Sequence, residues 1–231
     1  MKSKFFVWLL VIVLCFGLTG CADTSPMSLV QAVTGSGTAE EDSDFQVEIP
    51  EAALHLSEEE EILLNGELKD GVYVNRYFGY RFTAPEGWTL VRCNDDATET
   101  TDVIPLRQGY EDGWGGLYFS ADNEGTEGYI SINIAALKDD EIGLSEEELV
   151  KKNIERTWEI NRMFDEERGP EYGTCVLAGE EHPMSIQVAE TGAGEMLYVG
   201  LYIPKGDFKY GIYYALPNTD LEPLLALFEK I

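Results

Sequence analysis

Cysteine and histidine are the residues of this chain best suited to chemistry, because they act as nucleophiles, bases and metal ligands. Cys175 and His182 lie seven residues apart, and His55 is far from both in sequence. Strand alternation does not by itself bring residues seven apart together, so we expect no Cys–His nucleophilic pair. The sequence also lacks C-x-x-C, H-E-x-x-H and G-x-S-x-G. It therefore predicts no catalytic residue, no metal site and no cofactor.

Carboxylates are abundant, with 43 Asp and Glu residues, so an acidic pair is uninformative by its presence alone. Glycosidases need two carboxylates at a fixed separation, which a sequence does not reveal. Glu111 and Asp112, in a glycine-rich stretch, are the pair that an enzyme would use. The acidic segment from Asp122 to Glu127 lacks the glycine and glutamate positions of an EF-hand and is interpreted as a solvated loop. A divalent-cation binder stays a third hypothesis.

Aromatic side chains are the remaining candidates for ligand binding. Tyr198 and Tyr202 fall on one face of a predicted strand, and Tyr110 and Trp114 lie among glycines. These four residues are a candidate stacking platform for a sugar or a peptide. The alternative is that the sheet needs its aromatic residues for packing under the helices.

The first twenty-one residues predict where the protein works. Lys2 and Lys4 precede an apolar run from Phe5 to Leu18, which is typical of a secretory signal. The ending Leu18-Thr19-Gly20-Cys21 resembles the lipobox of bacterial lipoproteins. That resemblance implies a signal peptide over residues 1–20, a lipid on Cys21, and an anchored protein facing the extracytoplasmic side. The alternative, an uncleaved membrane span, is disfavoured because the run rises only about 21 Å as a helix, against a hydrocarbon core of about 30 Å.

Export leaves two alternatives open for Cys93 and Cys175. Oxidation is permitted outside the cytoplasm, and a disulfide closing this long loop would stabilise the fold by about 4 to 5 kcal/mol in the entropy model. Two buried free thiols are equally compatible with the sequence.

Residues 21–66 are predicted to be the lipidated cysteine and an acidic, flexible linker, with a short helix capped by Ser57 and Glu60 near its end. The formal net charge of the whole chain is −27. Such a charge argues against nucleic acid as a partner, because phosphate binding needs clustered Lys and Arg. It is interpreted mainly as a means to solubility.

A folded domain is predicted over residues 67–231. Alternating strands are expected at 72–75, 80–84, 88–92, 117–121, 129–137, 174–177, 184–189, 196–203 and 208–216. A long helix begins after Ser145, with Glu148 completing a capping box, and a short helix is expected over 221–230. The segment from Asn94 to Gly116 is interpreted as irregular.

The opening of this domain resembles PsbP-like domains found in bacterial lipoproteins. The residues that carry the resemblance are Tyr73, Asn75, Tyr77, Phe78, Gly79, Phe82, Pro85, Gly87 and Trp88. It implies an α+β fold, with a central antiparallel sheet flanked by helices in an α/β/α sandwich, which a Ran-binding nuclear import factor also has. Relatives of this kind work as accessory or partner-binding proteins.

We therefore expect a non-catalytic binding or assembly module, anchored in the bilayer through Cys21. Its ligand would be a surface protein or a wall glycan. The alternative is a surface hydrolase or glycan-processing enzyme that uses carboxylates such as Glu111 and Asp112.

Overall fold

The computed structural model describes residues 48–122, 128–160, 169–191, 194–217 and 221–231. The predicted signal peptide, Cys21 and most of the predicted linker lie outside the described residues. Within the described ranges, no helix is both long enough and apolar enough to cross a membrane.

Helices are few and strands are many. The helices are a 3₁₀ turn at Glu51–Ala53, α1 (Glu58–Asn65), α2 (Leu106–Glu111), α3 (Glu146–Ile160) and α4 (Glu222–Leu225). The strands are β1 (Glu67–Lys69), β2 (Val72–Asn75), β3 (Tyr80–Thr83), β4 (Thr89–Arg92), β5 (Leu117–Asp122), β6 (Tyr129–Ala136), β7 (Glu171–Leu177), β8 (Glu180–Thr191), β9 (Gly194–Lys205), β10 (Phe208–Pro217) and β11 (Phe228–Lys230).

The strands form two antiparallel sheets. The small sheet has the order β1-β2-β3-β11, and the large sheet has the order β4-β5-β6-β10-β9-β8-β7. The β9–β10 hairpin is in the predicted region, and its register pairs Phe208 with Lys205 and Tyr214 with Val199. Because neighbouring strands are in register, side chains of one parity form a continuous row across each face.

The main core lies between the two sheets. Tyr210 and Ile212 on the inner face of the large sheet are buried in one cluster with Tyr73 and Phe82 of the small sheet. The predicted α+β class with a central antiparallel sheet is confirmed. The layer on this side of the large sheet is built mainly by the small sheet, with α1 and α2 beside it, rather than by helices alone.

The opposite, outer face of the large sheet carries α3. Leu149 and Val150 of the helix pack with Tyr202 and Leu137. Ser145 and Glu148 form the predicted capping box, in which the Glu148 carboxylate accepts the N–H of Ser145 at 2.9 Å. The long predicted helix is thereby confirmed over the described part.

The folded unit begins before residue 67, which corrects the predicted linker boundary. Ala53 and Leu64 are buried in the main core. Ser57 and Glu60 form the predicted capping box of α1. The domain starts before α1 because Leu64 of this helix packs into the main core. The acidic composition of α1 does not by itself predict this packing.

The C-terminal segment also differs from its prediction. A single helix was expected over 221–230, but α4 ends at Leu225 and residues Phe228–Lys230 form β11, paired with β3. Phe228 is opposite Phe82, with ring centroids 4.9 Å apart. This contact between distant segments outweighs the local helical pattern.

Candidate functional site at the open edge of the sandwich

The four predicted platform residues lie in two different layers. Tyr198 and Tyr202 share the outer face of the large sheet, as alternation along β9 predicts. Tyr110 is carried by α2 onto the inner side, where it is buried and its hydroxyl accepts the N–H of Ala136 at 2.9 Å. Trp114 packs on Tyr118 of the outer face, with ring centroids 5.9 Å apart. The sheet separates Tyr110 from the others, so the predicted single platform is wrong.

The outer face contains a row of tyrosines that the sequence did not indicate as a group. Its members are Tyr118, Tyr129, Tyr198, Tyr202 and Tyr213. Tyr213 donates to the Tyr202 hydroxyl at 2.7 Å, and Tyr118 donates to Ser131 at 2.9 Å. Burial raises the pKa of Tyr129 to about 12. Alternation along a strand predicts which face of the sheet each tyrosine is on. Only the register between strands shows that these five are neighbours.

Three of these five tyrosines are half-buried, namely Tyr129, Tyr198 and Tyr213, and two are buried. Tyr118 and Tyr202 are buried, whereas Tyr198 and Tyr213 keep part of their surface. Trp114 packs beside β5, and Tyr202 lies on β9. Two strands, β6 and β10, lie between β5 and β9, so the axes of β5 and β9 are about 14 Å apart. Because the described hydroxyl bonds join a tyrosine of the row to another member or to Ser131 of the same sheet, the geometry favours a packing role for this face.

The two cysteines are free, buried and far apart, which leaves no disulfide. Cys93 follows β4 and packs with Tyr118, whereas Cys175 lies in β7 and faces the main core. Since β4 and β7 are opposite edges of a seven-stranded sheet, about 29 Å separates them. Burial raises the pKa of Cys93 to about 12 and that of Cys175 to about 11. Both thiols are therefore protonated at neutral pH.

Cys175 and His182 are direct cross-strand partners, contrary to the expectation from their spacing. Ala178 and Gly179 both have positive φ, 51° and 85°, and make the two-residue turn that joins β7 to β8. This turn pairs Leu177 with Glu180, so residues two positions further from the turn on each strand, Cys175 and His182, are also opposite each other. The signal was present in the sequence as Ala-Gly between two runs of strand-forming residues.

The pair is nevertheless not built as a nucleophile and its base. The His182 ring is buried, with Nδ1 2.9 Å from a Glu146 carboxylate oxygen and Nε2 3.2 Å from the Tyr80 hydroxyl. Both ring nitrogens thus have partners other than sulfur. Burial alone accounts for the raised pKa of Cys175, so no nearby charge stabilises its thiolate.

Glu111 and Asp112 do not converge on a shared site. The Glu111 carboxylate pairs with Arg107 at 2.7 Å, one turn back along α2. Asp112 accepts a hydrogen bond from Gln108 at 3.3 Å, and both acids are exposed. Two carboxylates on the outside of one short helix do not face a common substrate.

Other carboxylates with shifted pKa values are mostly held by a structural partner. A hydrogen bond from Arg92 lowers the pKa of Asp95, and one from Lys230 lowers that of Glu180. Glu61 also has a partner, the N–H of Leu106, but its pKa shifts in the opposite direction because burial raises it. In the described part of the chain, no group of three or more His, Cys, Asp or Glu side chains could hold a metal ion.

A cleft of about 600 Å³ lies where the two sheets part at one edge of the sandwich. One wall is the β7–β8 hairpin, and the other is α4 with the start of β11. The residues that line it are mainly apolar and include Cys175, Val176, Met184, Leu225, Ala226 and Phe228. A concave, apolar, partly open surface suits binding of an apolar group more than acid–base chemistry.

The residues that carried the resemblance at the domain's opening are structural. Asn75 is fully buried, and its amide donates to the Leu64 carbonyl and to the Tyr73 hydroxyl, both at 2.9 Å. Its side-chain oxygen accepts the N–H of Phe78 at 3.0 Å. Gly79, at φ 82°, makes the turn that follows. These contacts join α1 to the β2–β3 hairpin and indicate a structural role for Asn75 and Gly79.

No known family model matches the sequence, and no curated protein matches it. The solution structure of a cyanobacterial PsbP, CyanoP from Synechocystis, is similar with a TM-score of 0.42 and 11% identity, over 69% of this chain and 91% of that chain. A crystal structure of a chain from Bacteroides thetaiotaomicron is similar with a TM-score of 0.35 and 11% identity, over 66% of this chain and 45% of that chain. Scores and identities this low carry no information about function.

Proposed function

We propose that this chain is a non-catalytic binding module held on the extracytoplasmic side of the cell membrane by a lipid on Cys21. The observation that carries the binding part is the apolar cleft at the open edge of the sandwich. A binding surface needs an accessible concavity with few polar groups, and this cleft has that character. The lipobox-like ending at Cys21 supports the anchor.

The distribution of charged groups also supports binding over catalysis. An enzyme that uses carboxylates needs at least two in a concave site, with pKa values moved apart by their surroundings. The candidate pair, Glu111 and Asp112, is exposed on α2 and occupied by Arg107 and Gln108. The alternative of a surface hydrolase therefore gains no support from the geometry of these residues.

Crosslinking on intact cells tests the proposed binding function. A short crosslinker that is amine-reactive at one end and photoreactive at the other, applied to cells that display the chain, should yield a discrete adduct with a surface protein or a wall glycan. The adduct should saturate as the amount of displayed chain rises, and the captured molecule should be chemically unchanged. Adducts that scale without saturation, or a captured glycan shortened by the chain, would refute a non-catalytic binding role.

A further inference from the structure

The edge strand β7 differs from the other sheet edges in the described part of the chain. β1 and β11 have three residues each and β4 has four, and all of them carry a basic residue: Lys69, Lys230 and Arg92. β7 has seven residues, EYGTCVL, with no Lys, Arg or Pro. Short length, lysine and proline are the usual means of preventing further strand pairing. β7 lacks all three.

Apolar side chains make this edge suited to a partner. Tyr172 and Val176 are 45% and 59% exposed, and both project from β7 on the outer side. Cys175 and Leu177 point to the inner side and are buried. Since alternate backbone N–H and C=O groups of an edge strand point away from its sheet, β7 offers hydrogen bonds beside an apolar surface.

The cleft continues this surface on the inner side. Cys175 of β7 and Phe228 of β11 line it together, so it separates the edge of the large sheet from the edge of the small one. A strand added beside β7 would direct every second side chain into this space. The main-chain bonds would supply affinity, and the cleft would select the side chains.

The charges around the edge favour a basic partner. The charged residue among the described lining of the cleft is Glu222. Glu171 and Glu181 are exposed at the two ends of the β7–β8 hairpin, in a chain of net charge −27. Two bases lie near the edge: Lys230 is paired with Glu180 at 2.9 Å, and Lys151, whose ammonium lies over the Tyr172 ring, is paired with Glu147 at 2.6 Å. Complementary charge raises the association rate and excludes acidic competitors.

We propose that β7 binds an extended segment of a partner protein in which apolar and basic residues alternate. The segment adds as an eighth strand of the large sheet, its apolar side chains fill the cleft, and its basic side chains approach the surrounding glutamates. This proposal rests on the proposed binding function and names the class of partner and the place where it binds.

Fluorescence anisotropy with the full-length protein in detergent tests this proposal. The probe is a labelled nine-residue peptide that alternates valine with lysine. This peptide should bind saturably. A peptide that alternates valine with glutamate should not bind, and neither should the valine–lysine peptide when it is N-methylated at alternate amides.

Two variants of the protein test the place of binding. Val176→Lys and Ala226→Trp, both at exposed positions, should each weaken binding about tenfold or more. Val103→Lys, at a valine 44% exposed outside the cleft, is the matched control and should leave binding unchanged.

Several results would overturn the proposal. Unchanged affinity in Val176→Lys and Ala226→Trp would place the peptide elsewhere on the surface. Equal binding of the N-methylated peptide would exclude strand addition even if a variant failed to fold. Binding of none of the peptides would also refute it, and the crosslinking on intact cells would then decide separately whether the chain is a binding module.

Discussion

Lys209 and Glu141 form an ion pair that is almost wholly removed from water. Lys209 Nζ lies 2.8 Å and 2.7 Å from the two carboxylate oxygens, and Arg156 contacts the same carboxylate at 3.1 Å. Burial opposes the charge on Glu141, but attraction to Lys209 outweighs it and holds the pKa of the carboxyl below its ordinary value. The pair joins β10 to the loop before α3, and we interpret its role as structural.

Glu141→Gln should therefore destabilise the fold by about 3 kcal/mol, because it leaves the Lys209 ammonium buried without its counter-charge. Urea unfolding monitored by tryptophan fluorescence measures the loss. The double variant Glu141→Leu with Lys209→Met should recover most of it, since neither charge then needs a partner.

Arg107→Gln provides the matched control, because it removes one partner of the exposed Arg107–Glu111 pair. Its expected effect is below about 1 kcal/mol. Equal losses in Glu141→Gln and Arg107→Gln would show that the buried pair is not the constraint inferred from its geometry.

At the scale of elements, α2 depends on a close approach that only glycine allows. A Cβ at Gly109 would lie 2.1 Å from the carbonyl oxygen of Gly116, a backbone atom that cannot rotate away. This contact brings α2 against β5 and places Tyr110 in the core. The prediction of irregular structure from Asn94 to Gly116 is therefore wrong for α2, because the glycines that favour a loop also let this helix approach β5.

Gly109→Ala should destabilise the fold by about 2 kcal/mol, because the helix must move away from β5 to admit the methyl group. Gly173→Ala is the control: its Cβ would meet only the Met184 methyl at 3.6 Å, which is ordinary contact. That variant should be neutral or slightly stabilising. Thermal unfolding of the two proteins compares them directly, and a Gly109→Ala protein as stable as Gly173→Ala would contradict the packing described.

The predictable elements are those whose signals are local. The capping boxes at Ser57 and Ser145 and the β9–β10 hairpin were predicted because a few neighbouring residues specify them. The cross-strand meeting of Cys175 with His182 was missed although the Ala178-Gly179 turn between two strand-forming runs is a local signal for it. β11 was missed because its pairing with β3 is not encoded by local composition. The candidate site was missed for the same reason: the cleft joins the β7–β8 hairpin to a segment about fifty residues later in the chain.

At the scale of the whole molecule, the two sheets enclose one main core and part along one edge. There the cleft and β7 lie together, with acidic residues around them. On the outer face Tyr213 bonds to Tyr202 and Tyr118 bonds to Ser131, and hydrogen bonds from bases lower the pKa of carboxylates such as Asp95 and Glu180. This accessible, apolar cleft is consistent with a module that binds.

Location is the other half of the proposed function. A lipid with two acyl chains on Cys21 would hold the chain stably at a membrane, where one chain would bind only marginally. The predicted acidic linker would then let the folded part reach away from the surface. A binding module so placed would bring its partner to the membrane.

Cell fractionation of the wild-type chain and of Cys21→Ser, followed on intact cells by the same crosslinking, tests anchoring and binding together. The wild-type chain should be in the membrane fraction with its discrete adduct, and Cys21→Ser should move to the soluble fraction and lose the adduct. A Cys21→Ser chain that stays in the membrane fraction would contradict the lipid anchor. A wild-type chain that is membrane-bound but captures nothing would contradict the binding module.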